Sequence, residues 1–364
     1  MNILFLSHTF IGNKYVVGSH HLAKQLAKQG HKVMHIPHPW SQLHQFKRGP
    51  REAFLSGEIE PNLWQFQVGG WLPSKWHTMG FSYASHSRTL AKAISQLAEE
   101  NNIPHFDVCF VDDPVFQKAI QHLDCRKVIY RPTDIYTEMP KGAAYKQVEQ
   151  KLIEQADHVV ATSEAIVKFH QLNDQQASVL NNGFDFNHFA NFTLNESDSD
   201  SSSIVKVGYV GSLDARFDTQ LINSAAKALP DVEFCIHSPD LQHTLDITLP
   251  NLKHKGAVDY EVLPTILSHY DALIMPFTFT TNNKGRSPMK FFEYAATNKP
   301  MIVPDYFDDA GMPGVLCYQS PAQFIERIAN LTPNTRVERD KAQLKRHCWS
   351  TKATQLLELS NALS

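Results

Sequence analysis

"NFTLNESDSDSSSIVKVGYVGSLDARFD", residues 191–218, divides the chain in two. Its first part, 191–203, is acidic, Ser-rich and nearly free of large apolar side chains, so it cannot bury a core and reads as a flexible linker. From Ile204 onward the pattern changes to an apolar strand run that ends in a Gly-containing loop. A strand that restarts after such a linker marks the beginning of a second domain.

The chain before the linker opens with "NILFLS" at 2–7, a helical stretch closed by Gly30, and "HKVMHIP", which together make a β-α-β unit. The alternation returns at "FDVCFVDD", "RKVIYRPTD", "ADHVVATS" and "ASVLNN". After the linker it continues at "VEFCIHSP", "LKHKGAV", "DALIMPF" and "KPMIVP". Strands alternating with helices predict parallel sheets covered on both faces. The expected fold is therefore α/β: two Rossmann-like doubly wound domains, 1–190 and 204–334, facing across a cleft. Helices over 335–364 are expected to cross back to the first domain. Ligands of such sheets bind outside the carboxyl ends of the strands.

Composition narrows the function. A 364-residue chain with 42% hydrophobic residues has enough apolar content for two cores. The formal net charge of -3 gives no global field to recruit nucleic acid, and no basic repeat is present. Five scattered cysteines without a CxxC pair argue against a disulfide framework or a zinc knuckle and fit a reducing compartment. No apolar run is long enough to span a bilayer, so a cytoplasmic location is expected, with peripheral contact on the inner face of the cell membrane as an option.

Local chemistry concentrates in "NKGRSPMKFFEYAATNKP", residues 282–299. Ser287 reads as a helix N-cap and Pro288 as the first helical residue. Lys284, Arg286 and Lys290 then crowd the positive end of the helix, an arrangement that makes sense if an anion sits among them. Lys290 and Glu293 share one helical face, either as a surface ion pair or as two separate ligand contacts. In the second case Lys290 would hold a diphosphate and Glu293 would accept hydrogen bonds from ribose hydroxyls.

Three motifs here resemble the nucleotide-sugar-dependent glycosyltransferases of the GT-B fold. "SPMKFFEYAATNKPMIVPD" is similar to their donor signature, "VGYVGSLDARFD" to the first strand and loop of their donor domain, and "NNGFDFNHF" to the segment before their interdomain linker. The resemblance implies a nucleotide diphosphate-sugar donor, a UDP-sugar in preference, with Glu293 on its ribose and Lys290 and Arg216 on its diphosphate. Gly211, Ser212 and Ser287 would line the same strand end, and Val258 and Tyr260 in "HKGAVDY" would meet the base. Lysine, arginine and a helix end can stabilise the departing diphosphate without a metal ion, so neither metal nor cofactor is expected. "DSD" at 198–200 lies in the linker and reads as solvated charge.

The chain departs from the retaining branch of that family at two places. Gly285 stands where that branch carries a second glutamate, and Thr133-Asp134 where it carries His-Asp. The resemblance is closest to inverting glucuronosyltransferase-like enzymes of exopolysaccharide assembly. Asp134 then becomes the expected general base, Asp113 its rival, and Asp112 a cap for the next helix. Four tryptophans, Trp40, Trp64, Trp71 and Trp76, interleave with basic residues. They read either as packing or as a face for a lipid-linked glycan acceptor or a membrane surface. His20 joins His8 and His21 near the first strand-to-helix loop. The expected partners are a nucleotide-sugar and a glycan or lipid-linked acceptor, with no nucleic acid. A nucleotide-sugar epimerase and a catalytically silent glycan-binding subunit are the alternative functions.

Overall fold

A computed structural model describes residues 1–13, 16–71, 73–74, 82–139, 142–190, 204–241 and 244–362. The linker 191–203 with its "DSD", and Trp76, lie outside the described residues. The chain divides into two compact units, Met1–Asn182 with Trp349–Ser364, and Gly183–Cys348.

The first unit is built on an eight-stranded sheet. Its strands are β1 (Asn2–Ser7), β2 (Lys32–Pro37), β3 (Gly57–Glu60), β4 (Leu63–Gln65), β5 (Val108–Val111), β6 (Val128–Tyr130), β7 (His158–Ala161) and β8 (Ala177–Val179). They lie in the order β3-β4-β2-β1-β5-β6-β7-β8. All neighbours pair in parallel except β3 with β4. The central strands are buried on both faces: Ile3, Leu4, Phe5 and Leu6 of β1 and Val108, Cys109, Phe110 and Val111 of β5 are fully inaccessible. That accounts for their continuous apolar reading in place of an alternating one.

The closing helix Trp349–Asn361 belongs to this first unit and packs on helix Gly18–Lys28. Trp349 stacks on His21 at 4.7 Å with nearly parallel rings, and Lys127 Nζ donates to the Ser360 carbonyl at 2.8 Å.

The second unit holds six parallel strands: β9 (Val205–Val210), β10 (Val232–His237), β11 (Leu252–His254), β12 (Ala272–Ile274), β13 (Met301–Pro304) and β14 (Val315–Tyr318). Their order is β11-β10-β9-β12-β13-β14. Apolar clusters fill both of its faces. Gly183–Ala190 is part of this unit, with Phe184 stacked on Phe292 and its N–H donating to the His347 carbonyl.

In each unit the strand order reverses at one point, between β1 and β5 in the first and between β9 and β12 in the second. Helices leave a doubly wound sheet in opposite directions there and open a crevice at the strand carboxyl ends. Gly211 follows β9 directly. His8 and Asp112-Asp113 follow β1 and β5 in the same way.

Three local features differ from the sequence reading. The hairpin β3–β4 and the edge strand β14 form in stretches to which the sequence reading assigns no strand; each strand has only three or four residues, too few for periodicity to register. The helix after Ser287 runs Met289–Ala295 and is capped by Pro288, whose ψ of 128° is extended, so the start falls one residue later than Ser287 and Pro288 imply. Asp113, not Asp112, caps the turn at Pro114–Phe116, because Asp112 is committed to Arg131.

Candidate functional site

In the second unit the loop after β9 and helix Met289–Ala295 bring Lys290 and Gly211 together. Lys290 Nζ donates to the Val210 carbonyl at 3.1 Å and the Tyr209 hydroxyl at 3.2 Å. It also lies 4.6 Å from the Tyr209 ring centroid and 5.7 Å from that of Phe277. A Cβ on Gly211 would overlap this ammonium and press on the Tyr209 hydroxyl. The glycine therefore makes room for the cation at the strand end. Burial, reinforced by the Arg216 charge, lowers the Lys290 pKa to about 8. A cation destabilised in this way gains from any anion that reaches it.

Glu293 follows on the same helix. Among the described residues its carboxylate has no hydrogen-bond partner, and burial raises its pKa to about 7 in spite of Lys290. A half-buried carboxylate left without donors suits two hydroxyl donors from a ligand.

Arg216 is engaged with Asp214, through Nε to Oδ1 at 2.6 Å and through Nη2 to Oδ2. Burial opposes the charge on Asp214, yet the guanidinium holds its pKa below the ordinary carboxylate value, with Arg286 contributing. Arg216 and Arg286 thus share the loop region, and Arg286 is a third cation that the motif resemblance did not single out. Ser212 is exposed, and its carbonyl accepts from the Tyr209 hydroxyl at 2.9 Å. Ser287 is half-buried.

Val258 packs against the apolar cluster beneath helix Met289–Ala295. Tyr260 is 43% exposed and stacks on His188 at 4.5 Å, while its carbonyl accepts from His188 Nε2 at 2.8 Å. One ring face is already covered, so a base could use only the other. His188 is a residue that sequence reasoning missed, although it lies within the quoted "NNGFDFNHF".

The first unit gathers its own polar cluster at the carboxyl ends of β1, β2, β5 and β6. Asp112 and Arg131 form a bidentate ion pair at 2.6 and 2.9 Å, both almost fully buried. Asp113 accepts from the Val115 N–H at 3.0 Å, and its Oδ2 lies 2.6 Å from His38 Nδ1 and 3.7 Å from His8 Nδ1. Burial opposes its ionisation, but the two histidines hold its pKa well below the usual carboxylate range. Burial likewise opposes charge on His8, and the Asp113 carboxylate outweighs it, so the His8 pKa is raised. His8 Nε2 meets the Tyr136 hydroxyl at 2.7 Å, and that hydroxyl also contacts Thr133 Oγ1 at 3.0 Å. Asp134, half-buried, accepts from Thr133 Oγ1 at 3.4 Å. The structure thus brings Asp134 and Asp113 to neighbouring strand ends.

The aromatic residues separate. Trp71 is 77% exposed, whereas Trp64 packs on the first unit's core and Trp40 is half-buried beneath the Arg51 guanidinium at 4.8 Å. His20 is buried, its Nε2 against the Thr9 carbonyl at 3.1 Å and its ring edge-on to His35. All five cysteines are free thiols. Among the described residues no helix is long and apolar enough to cross a membrane.

Comparison with known proteins agrees with this geometry. Residues 5–162 match the family model described as glucuronosyltransferase GumK, N-terminal domain, and residues 216–358 match one described as glycosyl transferase-like. The putative teichuronic acid biosynthesis glycosyltransferase TuaH of Bacillus subtilis (strain 168) is 22% identical over 271 residues, which is 67% of each protein. Among solved structures, sucrose-phosphate synthase from Thermosynechococcus elongatus superposes with a TM-score of 0.70 at 14% identity, covering 100% of this chain and 98% of that one. Anabaena Alr3699/HepE, solved in complex with UDP and glucose, gives 0.67 at 14% identity with full coverage of both chains. With a GumK-type first half, a glycosyl transferase-like second half and two doubly wound sheets of this topology, the chain is a glycosyltransferase of the GT-B fold.

Proposed function

We propose that the protein moves a sugar from a UDP-sugar to a hydroxyl of a glycan, lipid-linked in the working substrate, during polysaccharide biosynthesis. The carrying observation is the Lys290 ammonium set into the space left by Gly211, with the Glu293 carboxylate, which has no hydrogen-bond partner among the described residues, one turn further along. Lys290 and Arg216 would meet the diphosphate and Glu293 the ribose. Departure of the sugar places negative charge on that diphosphate, and fixed cations lower the barrier where the charge develops. Two such cations supply this stabilisation without a metal ion. Relatives named for teichuronic acid and glucuronosyl transfer support a polysaccharide context, and the UDP complex of a structure with the same fold supports the donor. They lend no support to an epimerase or a silent binding subunit.

Asp134 is the proposed general base, taking the acceptor proton in an inverting displacement. Trp71, with the exposed Phe46, Lys47 and Arg48 of helix Gln42–Arg48, is the proposed peripheral membrane contact. The test is incubation with UDP-glucuronate or UDP-glucose and a panel of octyl glycosides, following UDP release and reading the product anomer by NMR. Product of inverted configuration, lost in Asp134→Asn, is expected. Retained configuration, or full turnover in Asp134→Asn, would refute the base assignment.

A further inference from the structure

Asp113 is spent on other groups of the protein. Its side chain is 5% exposed, Oδ1 is taken by the Val115 N–H, and Oδ2 faces His38 Nδ1 at 2.6 Å. A carboxylate has no hydrogen to give, so the hydrogen in that short contact sits on His38 Nδ1. In the neutral imidazole Nε2 is then a hydrogen-bond acceptor. Among the described residues Nε2 has no partner, and the His38 side chain is 22% exposed.

The main chain at His38 is also held. Arg51 Nη2 donates to the His38 carbonyl at 2.7 Å, and Gln67 Nε2 approaches it at 3.4 Å. The Arg51 guanidinium is itself fixed over the rings of Trp40 and Phe10. His38 follows β2 directly, on the edge of the sheet where doubly wound folds take their ligands. A fixed, accessible acceptor atom backed by a buried carboxylate is the pattern by which proteins orient an imidazole toward an O–H donor.

We propose that His38 contacts the substrate, its Nε2 accepting a hydrogen bond from a hydroxyl of the glycan acceptor, and that Asp113 is the residue that positions it. This rests on the glycosyl-transfer reading and adds to it: Asp113 acts through His38 and is not itself a proton acceptor from the substrate. A glycan supplies the O–H donors that such an atom requires.

The experiment uses the full chain with nitrogen-15-labelled histidine, the His38 signals being assigned by their loss in His38→Gln. Octyl glycosides of glucose, mannose, N-acetylglucosamine and glucuronate are titrated in, and UDP in a parallel series. At least one glycoside is expected to move the His38 Nε2 signal saturably, and Asp113→Asn to abolish that response while the UDP response persists. The same glycoside should show a KM about tenfold higher in His38→Gln with UDP affinity unchanged, which corresponds to about 1.4 kcal/mol of acceptor binding. His38 signals that ignore every glycoside, or that respond equally in Asp113→Asn, would overturn the proposal. Loss of the UDP response alone, with the glycoside response intact, would instead count against the donor reading.

Discussion

The Lys290 ammonium occupies the space into which a side chain on Gly211 would project. The two residues lie on different elements, the loop after β9 and helix Met289–Ala295, so the packing of strand and helix sets where the charge sits. Gly211→Ala should displace the ammonium while leaving the sheet intact, since the nearest obstacle is the far end of a flexible side chain. UDP affinity is expected to fall about tenfold to a hundredfold, or about 1.4–2.7 kcal/mol, together with a fall in Tm, because the Gly211 φ of 156° is one that L side chains rarely adopt. Calorimetric titration and thermal unfolding on the same sample would check both halves of this prediction.

Donor binding should depend on pH through Lys290. Burial, with help from Arg216, lowers its pKa to about 8 in the unliganded protein, so the cation is lost as pH rises through that value. UDP affinity in the parent is expected to decline above about pH 8, whereas Lys290→Met should bind weakly and lack that decline. A parent profile flat between pH 7 and 9.5 would contradict this.

Stability without ligand carries the opposite signs for the two site residues. The folded pKa of Lys290 lies below its ordinary value of 10.5, so the unfolded chain binds more protons between about 8 and 10.5 and stability rises with pH there. The folded pKa of Glu293, about 7, lies above 4.5, so the folded chain binds more protons over that interval and stability falls as pH rises through it. Glu293→Gln should therefore unfold at a higher temperature than the parent at pH 8 and lose that advantage at pH 4.5, even as it binds UDP more weakly.

The Asp112–Arg131 pair is buried at the end of β5 and β6, and removing one partner strands the other. Arg131→Met is expected to cost about 3–5 kcal/mol by urea unfolding. The double variant Arg131→Met/Asp112→Leu should recover much of that loss, because an apolar pair leaves no buried charge behind.

The sequence carried the architecture well because β1 and β5 of the first sheet and β12 and β13 of the second are almost wholly buried and read as apolar runs. β3, β4 and β14 escaped because strands of three or four residues at or near a sheet edge offer too little pattern. Lys290, Glu293 and Gly211 stand out in sequence motifs, but the fit of an ammonium against a missing Cβ depends on tertiary approach. Arg286 reads from the sequence as one of the cations around an anion, but its proximity to Asp214 depends on the fold. In the first unit the distinction between Asp112 and Asp113 could not be read, since it turns on Arg131, nineteen residues away just past the end of the neighbouring strand. His38 was invisible for the same reason: nothing local ties the end of β2 to the end of β5, and only the parallel sheet brings the imidazole to Asp113. Of the tryptophans, Trp71 alone among the described ones is exposed, because Trp64 sits in β4 against the core and Trp40 under Arg51.

The central claim is that Lys290 and Glu293 hold a uridine diphosphate in the second unit. Calorimetric titration of UDP and GDP into the parent, Lys290→Ala and Glu293→Ala tests it most directly. Selective binding of UDP by the parent, weakened at least about tenfold in each variant, is the predicted result. UDP affinity unchanged by both substitutions, or no binding of either nucleotide by a folded parent, would contradict it.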